Sequence, residues 1–253
     1  MFAEETTQND LISNIGTMGA GRVNFNTSAA SNYLTKENFK ALRTNLFFCG
    51  TDMKVIMLTS SRENEGKSTI STELAKNLAE ANKKTLFIDA DMRKSMLQPR
   101  NLKQHSYMGL SEFLSGQAEL NEVIYNTQDP DFDVIFSGHF PPNPVELLGS
   151  AQFSSLLQSM RGIYDYVIID SPPLGSVIDA AVMAPACDGA IIVMTPGVIT
   201  YSEARQVKEQ LDKSGCKILG VILNDITGKH KKDYKSYYKN YEYSSSAKGK
   251  KSR

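Results

Sequence analysis

Six short apolar runs, at 55–59, 85–88, 132–136, 166–169, 190–194 and 218–223, recur along the chain with little internal polarity. Between them lie stretches with helical spacing, at 68–81, 110–114, 151–160, 179–184 and 202–213. Near-continuous apolar strands alternating with helices predict an α/β fold whose mainly parallel sheet is covered by helices on both faces. Ahead of these runs, Phe39, Leu42, Leu46 and Phe47 fall at helical spacing, and Thr35 as N-cap with Glu37 in the first turn predicts a helix over 35–48. Residues 1–33 are rich in Asn, Thr, Ser, Gly and Ala without a sustained apolar period, which predicts a flexible N-terminal arm. After Asn224 the pattern stops, and 226–253 is a Lys/Tyr/Ser tail too polar to bury a core. The expected organisation is one folded domain over 34–225 between two flexible ends.

Composition narrows the class. With 253 residues, 41% apolar and 22% charged, the chain is neither a disordered polyampholyte nor a fibrous sequence. Its 28 basic side chains balance 28 acidic ones, which removes the general basic signal of a nucleic-acid binder, and no nucleic-acid partner is expected. The balance is uneven, however. Residues 226–253 carry nine Lys/Arg against Asp233 and Glu242, a net of +7, which leaves −7 for the rest. No apolar run approaches the roughly 18 residues that span a bilayer, and the start Met1-Phe2-Ala3-Glu4-Glu5 lacks a basic region followed by an apolar one, so a cytoplasmic location is expected. Cys49, Cys187 and Cys216 form no CxxC pair and are expected to pack as small hydrophobes, and His105, His139 and His230 lack metal-ligand spacing.

The first strand runs into Ser60-Ser61-Arg62-Glu63-Asn64-Glu65-Gly66-Lys67-Ser68-Thr69 and then into a helix, which is the context a Walker A loop requires. A phosphate needs a concave array of backbone N–H groups, a helix N-terminus, a cation that follows it and a hydroxyl that ligates Mg²⁺. Arg62, Glu63, Asn64, Glu65, Gly66, Lys67, Ser68 and Thr69 form that loop. Gly66 lets the backbone approach, Lys67 reaches the β and γ phosphates, and Ser68 takes the metal. Ser61 stands where the pattern GxxxxGK[ST] has its first glycine. The loop binds through its main chain, so the side chains of Glu63 and Glu65 are expected to point to solvent. ATP and Mg²⁺ are the expected cofactors, on a P-loop NTPase-like fold.

A second strand ends in Asp89-Ala90-Asp91-Met92-Arg93, and a third in Asp170-Ser171-Pro172-Pro173. In open α/β sheets ligands sit outside the carboxyl ends of the strands, so three strand ends deliver Lys67, Asp89, Asp91 and Asp170 to one rim. Carboxylates buried there are costly without a cation, and Mg²⁺ with ATP supplies one.

Together, the phosphate loop, the DxDxR run (Asp89, Asp91, Arg93) and the DxPP run (Asp170, Pro172, Pro173) resemble the Walker A, A′ and B set of the bacterial protein-tyrosine kinases, or BY-kinases, of capsule and exopolysaccharide export. Segments 141–148 and 220–224 and the tyrosine-rich tail also resemble family segments, so the likeness runs from about residue 35 to the end of the chain. The resemblance implies an ATP- and Mg-dependent tyrosine autokinase in which Lys67, Asp89, Asp91 and Asp170 form the catalytic set. In it, Lys67 and Ser68 hold phosphates and Mg²⁺, and Asp89 acts on the incoming tyrosine hydroxyl as base or orienter. Asp91 and Asp170 position the metal and its waters, and Asn224 is similar to the position that meets adenine. Tyr234, Tyr237, Tyr238, Tyr241 and Tyr243 resemble the family's autophosphorylation cluster, with transfer expected between subunits. Glu37, Lys40 and Arg43 resemble its ExxRxxR oligomer-contact motif, with Lys40 in place of an arginine. Implied partners are a membrane-anchored activator acting through its cytosolic segment, a second copy of the chain, a cognate tyrosine phosphatase and protein substrates of polysaccharide synthesis. Recruitment to the inner face of the membrane would follow from the activator.

The alternative is a deviant-Walker ATPase of the partition or division-site type, a nucleotide-switched dimer without kinase activity. Its signature lysine early in the loop would fall at Arg62, and the sequence lacks both that lysine and the glycine pair.

Overall fold

Alternation within β2 (Val55–Ser60) shows why this sheet carries helices on both sides. Val55 and Met57 pack into one apolar cluster, Ile56 and Leu58 into a second on the opposite face, and none of the four is exposed. A strand with no solvent-facing side must be apolar throughout, which is why these runs are legible as strands. The computed structural model describes residues 20–25, 33–95, 97 and 107–225.

In chain order the described elements are β1 (Arg22–Val23), α1 (Tyr33–Phe47), β2, α2 (Lys67–Ala79), β3 (Thr85–Asp89), α3 (Leu110–Leu114), α4 (Leu120–Val123), β4 (Tyr125–Thr127) and β5 (Phe132–Ile135). They continue with α5 (Pro144–Leu148), α6 (Ala151–Ile163), β6 (Tyr166–Asp170), α7 (Asp179–Met183), a 3₁₀ turn (Ala184–Ala186), β7 (Gly189–Met194), α8 (Tyr201–Ser214) and β8 (Ile218–Leu223). One eight-stranded sheet has the order β1-β4-β5-β3-β6-β2-β7-β8. Its strands pair in parallel apart from the β4/β5 hairpin. Leu46 of α1 and Ile70, Leu74 and Leu78 of α2 fill one face, while Leu110 and Leu114 of α3, Phe153 and Leu157 of α6 and Leu211 of α8 fill the other.

Two features of this topology make the site. Strands β3, β6 and β2 are consecutive in the sheet, so their carboxyl ends open side by side. In the β3/β6 ladder Asp89 lies directly opposite Asp170.

Several expectations are corrected. The arm reading of 1–33 does not hold over 20–25: β1 pairs in parallel with β4, and Phe25 is buried against Phe87, Phe132 and Phe136. The first helix starts at Tyr33, two residues before the expected Thr35, so Thr35 lies within it and its first turn holds no acid. β4, α4 and α5, of three, four and five residues, were not expected. β8 is apolar like a central strand yet closes the sheet, leaving Val221 and Leu223 about half exposed.

Candidate functional site

The phosphate loop leaves β2 and returns as the first turn of α2, with Gly66 as its N-cap in the left-handed region at φ 80°. A Cβ at Gly66 would also lie 2.1 Å from the Asn224 amide nitrogen, so glycine is required there for both space and conformation. Asn64 is left-handed too, at φ 63°. The neighbouring loop after β6 presses close, and a Cβ at Gly175 would meet the Ser61 carbonyl at 2.1 Å. Glu63 points outward and pairs with Lys94 at 2.8 Å, as expected of a solvent-facing acid. Glu65 does not. Its carboxylate is buried and accepts the backbone N–H groups of Arg62 and Thr195, which corrects the expectation that it faces solvent.

Lys67, Asp89 and Asp170 come together as expected, and all three are buried. Lys67 Nζ donates to Asp170 Oδ1 at 2.8 Å, and the Ser71 hydroxyl, one helical turn further along α2, donates to the same oxygen at 2.9 Å. Lys67 Nζ also lies 3.3 Å from the Ser68 hydroxyl. Asp89 accepts the Asp91 N–H at 3.1 Å and the Ser95 hydroxyl, while Asp91 accepts the Lys94 N–H at 3.0 Å, so the turn after β3 is closed by its own carboxylates. Arg93 grips the buried Asp179 of α7 with two hydrogen bonds of 2.8 and 3.1 Å, tying that turn to the helix after β6.

Charge is out of balance here. Burial, reinforced by the facing Asp170, pushes the Asp89 carboxyl up to about 8, and burial raises Asp91 as well. One ammonium serves three carboxylates, and hard oxygen donors around an excess of negative charge are what Mg²⁺ takes. Among the described residues no three His, Cys, Asp or Glu side chains form a metal cage by themselves. Mg²⁺ characteristically completes its shell with water and nucleotide phosphates, so the donor set fits the expected group. A cavity of about 670 Å³ bounded by Gln158, Arg161, Pro185 and Asp188 opens at the other end of the strands. Convergent charge, rather than cavity size, marks the site.

The remaining expected residues fall as follows. Arg62 folds back onto Glu203 of α8, with Nε at 2.8 Å from the carboxylate. Thr69 lies in the first turn of α2. Asn224 reaches the loop through its side-chain amide, which donates to the Glu65 carbonyl at 2.9 Å. On α1, Glu37 and Lys40 pair with each other at 2.8 Å on an exposed face, whereas Arg43 donates to the Asn77 carbonyl of α2 at 2.8 Å, so the three side chains do not form one surface group. The five tail tyrosines lie outside the described residues. Sequence reasoning missed Ser71, Ser95, Asp179 and the Glu65 carboxylate. Only Ser71 carries a local signal, four residues after Lys67 on the same helix face.

A family model described as an AAA domain matches residues 53–219. The chain is 46% identical over 193 residues to the tyrosine-protein kinase CpsD of Streptococcus agalactiae serotype Ia, covering 76% of this chain and 83% of that one. Among solved structures, the kinase domain of the Escherichia coli tyrosine kinase ETK superposes with a TM-score of 0.70 at 32% identity, over 84% of this chain and 92% of that one. The septum site-determining protein MinD of Pyrococcus horikoshii, complexed with Mg-ADP, matches with a TM-score of 0.54 at 25% identity, over 67% and 69%.

Proposed function

The chain belongs to the bacterial protein-tyrosine kinase family, and from that premise we propose how its residues divide the work of a tyrosine autokinase in capsule synthesis. The observation that carries the reading is Asp89 and Asp170 side by side at two strand ends, with Lys67 bridging to Asp170 from the phosphate loop. Phosphoryl transfer needs positioning and charge neutralisation more than covalent chemistry, and this constellation supplies both. When bound, ATP would supply the phosphoryl group and Mg²⁺ would neutralise the charge that develops on it.

Lys67 is paired with Asp170, a buried contact that keeps its ammonium at the mouth of the loop. In the loaded site we assign Lys67 to the phosphates, and Ser68, Asp91 and Asp170 to the metal and its waters. The Ser71 hydroxyl holds Asp170 in orientation. Asp89 is assigned to the acceptor hydroxyl as base or orienter, and Asn224, beside the loop, to the adenine side. The acceptors are the tail tyrosines, and transfer runs between subunits, with Glu37, Lys40 and Arg43 on a helix at the proposed contact. Among the described residues no helix is long and apolar enough to cross a membrane. On this reading a membrane-anchored activator holds the cytoplasmic chain at the inner face, and a tyrosine phosphatase resets it.

The test is intact-mass spectrometry of the phosphatase-treated chain after incubation with ATP and Mg²⁺. Wild type is expected to gain several phosphates, and Lys67→Met none while keeping its circular dichroism spectrum. Phosphorylation surviving in Lys67→Met would overturn the assignment.

A further inference from the structure

One acidic side chain of the phosphate loop has no part in the division of roles above. Glu65 precedes Gly66, is 2% exposed, and turns its carboxylate into the protein. Oε2 accepts the Arg62 N–H at 2.8 Å, closing the loop on itself. Oε1 accepts the Thr195 N–H at 3.0 Å, just past the end of β7. The backbone carbonyl of the same residue accepts the Asn224 side chain at 2.9 Å, just past the end of β8. Asn64 and Gly66, both at positive φ, flank it and set the local turn that faces the side chain inward.

A buried carboxylate persists only when it is hydrogen-bonded, and both oxygens here are engaged by backbone N–H groups. Two opposite effects on nucleotide binding follow. The negative charge beside the loop repels a polyphosphate, so repulsion alone predicts tighter binding when the charge is removed. The hydrogen bonds fix the curvature of a loop that grips phosphate through its main chain, an effect that salt leaves alone. Two carboxylate attachments, one within the loop and one to the end of β7, beside a backbone carbonyl held by Asn224, describe a brace.

We propose that Glu65 is a positioning residue for nucleotide binding: its carboxylate holds the phosphate loop in shape by closing it through the Arg62 N–H and tying it to the end of β7. The proposal rests on the nucleotide-site reading. Gln at this position has one carbonyl oxygen and can replace one of the two accepted N–H bonds, whereas Ala replaces neither. The brace therefore predicts a graded loss.

The experiment measures binding of a fluorescent ADP analogue with Mg²⁺ to the full chain, for wild type, Glu65→Gln and Glu65→Ala, at two salt concentrations. Glu65→Gln is expected to weaken binding about tenfold, as for loss of one hydrogen bond to a charged group, with a further loss in Glu65→Ala. The ratio to wild type stays constant with salt, and KM for ATP rises while kcat changes little. Binding in Glu65→Gln that equals or exceeds wild type, or a ratio that collapses at high salt, would overturn the brace. Melting temperatures of the free proteins are recorded alongside, and Glu65→Gln, which keeps the side-chain volume, decides the outcome if Glu65→Ala does not fold. A wild-type chain that fails to bind the analogue would instead overturn the nucleotide-site reading, and the inference with it.

Discussion

Asp89 sits in an electrostatic conflict, buried beside a second carboxylate. Its carboxyl is pushed up to about 8 from an ordinary 3.8, first by burial and then by Asp170 across the ladder. Between those two values the folded chain holds a proton that the unfolded chain has released, so stability falls as pH rises through that window. Below about 4 both states are protonated and the effect vanishes. Above about 8 the penalty is complete. Asp89→Asn removes the group, and in metal-free protein it is expected to melt several degrees above wild type at pH 8.5 with the gap shrinking toward zero at pH 4.5. A gap that is constant with pH would show that the carboxyl is not held protonated. The same variant is expected to lose phosphate transfer while still binding nucleotide. Lys67, Asp89, Asp91 and Asp170 are legible in the sequence because a charged residue closing an apolar run has only the strand-end rim to occupy. The inward turn of Glu65 is not legible, since it depends on a positive φ at Asn64 and on Thr195, 130 residues away.

At the level of elements, legibility follows length and burial. β2, β3, β6 and β7 are buried on both faces, so their apolar runs stand out, and α2, α6 and α8 are long enough to show a period. β1 has two residues and only one of them, Val23, is buried, so it leaves no pattern. Yet it brings Phe25 into a ring cluster with Phe87, Phe132 and Phe136 at centroid distances of 5.8 to 6.0 Å. Gln128 fixes the backbone of Phe25 from both sides, accepting its N–H and donating to its carbonyl at 2.8 Å. A segment that composition assigns to a flexible arm is therefore part of the core. Phe25→Ala is expected to cost about 3–5 kcal/mol, the range for a buried Phe truncated to Ala. The check is urea unfolding of the two chains. A loss under 1 kcal/mol would return residues 20–25 to the arm. The helix α1 offers the converse lesson: its spacing was legible, but the use of Arg43 to cap a carbonyl of α2 needed the structure, because that partner lies 34 positions away.

Over the whole molecule the charge divides in two. Residues 226–253 carry +7 and the rest −7, and the described part of the site is rimmed by Glu63, Asp89, Asp91 and Asp170. A basic tail is attracted to an acidic rim, and on a second copy that attraction favours transfer between subunits. Each phosphotyrosine adds about −1.5 to −2 charges at neutral pH, so filling four or five of the tail tyrosines supplies roughly −6 to −10. That cancels or reverses the tail's charge, and attraction gives way to repulsion. The assembly is therefore expected to form in the dephosphorylated state and loosen as the tail fills, which makes the kinase self-limiting. Exposed charges are screened over about 8 Å at physiological salt, so transfer between subunits is expected to slow as salt rises. Sedimentation of the dephosphorylated and phosphorylated chains with ATP and Mg²⁺ at two salt concentrations, with the cytosolic segment of the proposed activator present, reads the first effect, and the phosphorylation rate reads the second. Equal sedimentation of the two forms, or a rate indifferent to salt, would remove charge as the regulator and leave the kinase assignment standing, since that rests on Lys67 and the three carboxylates rather than on the tail.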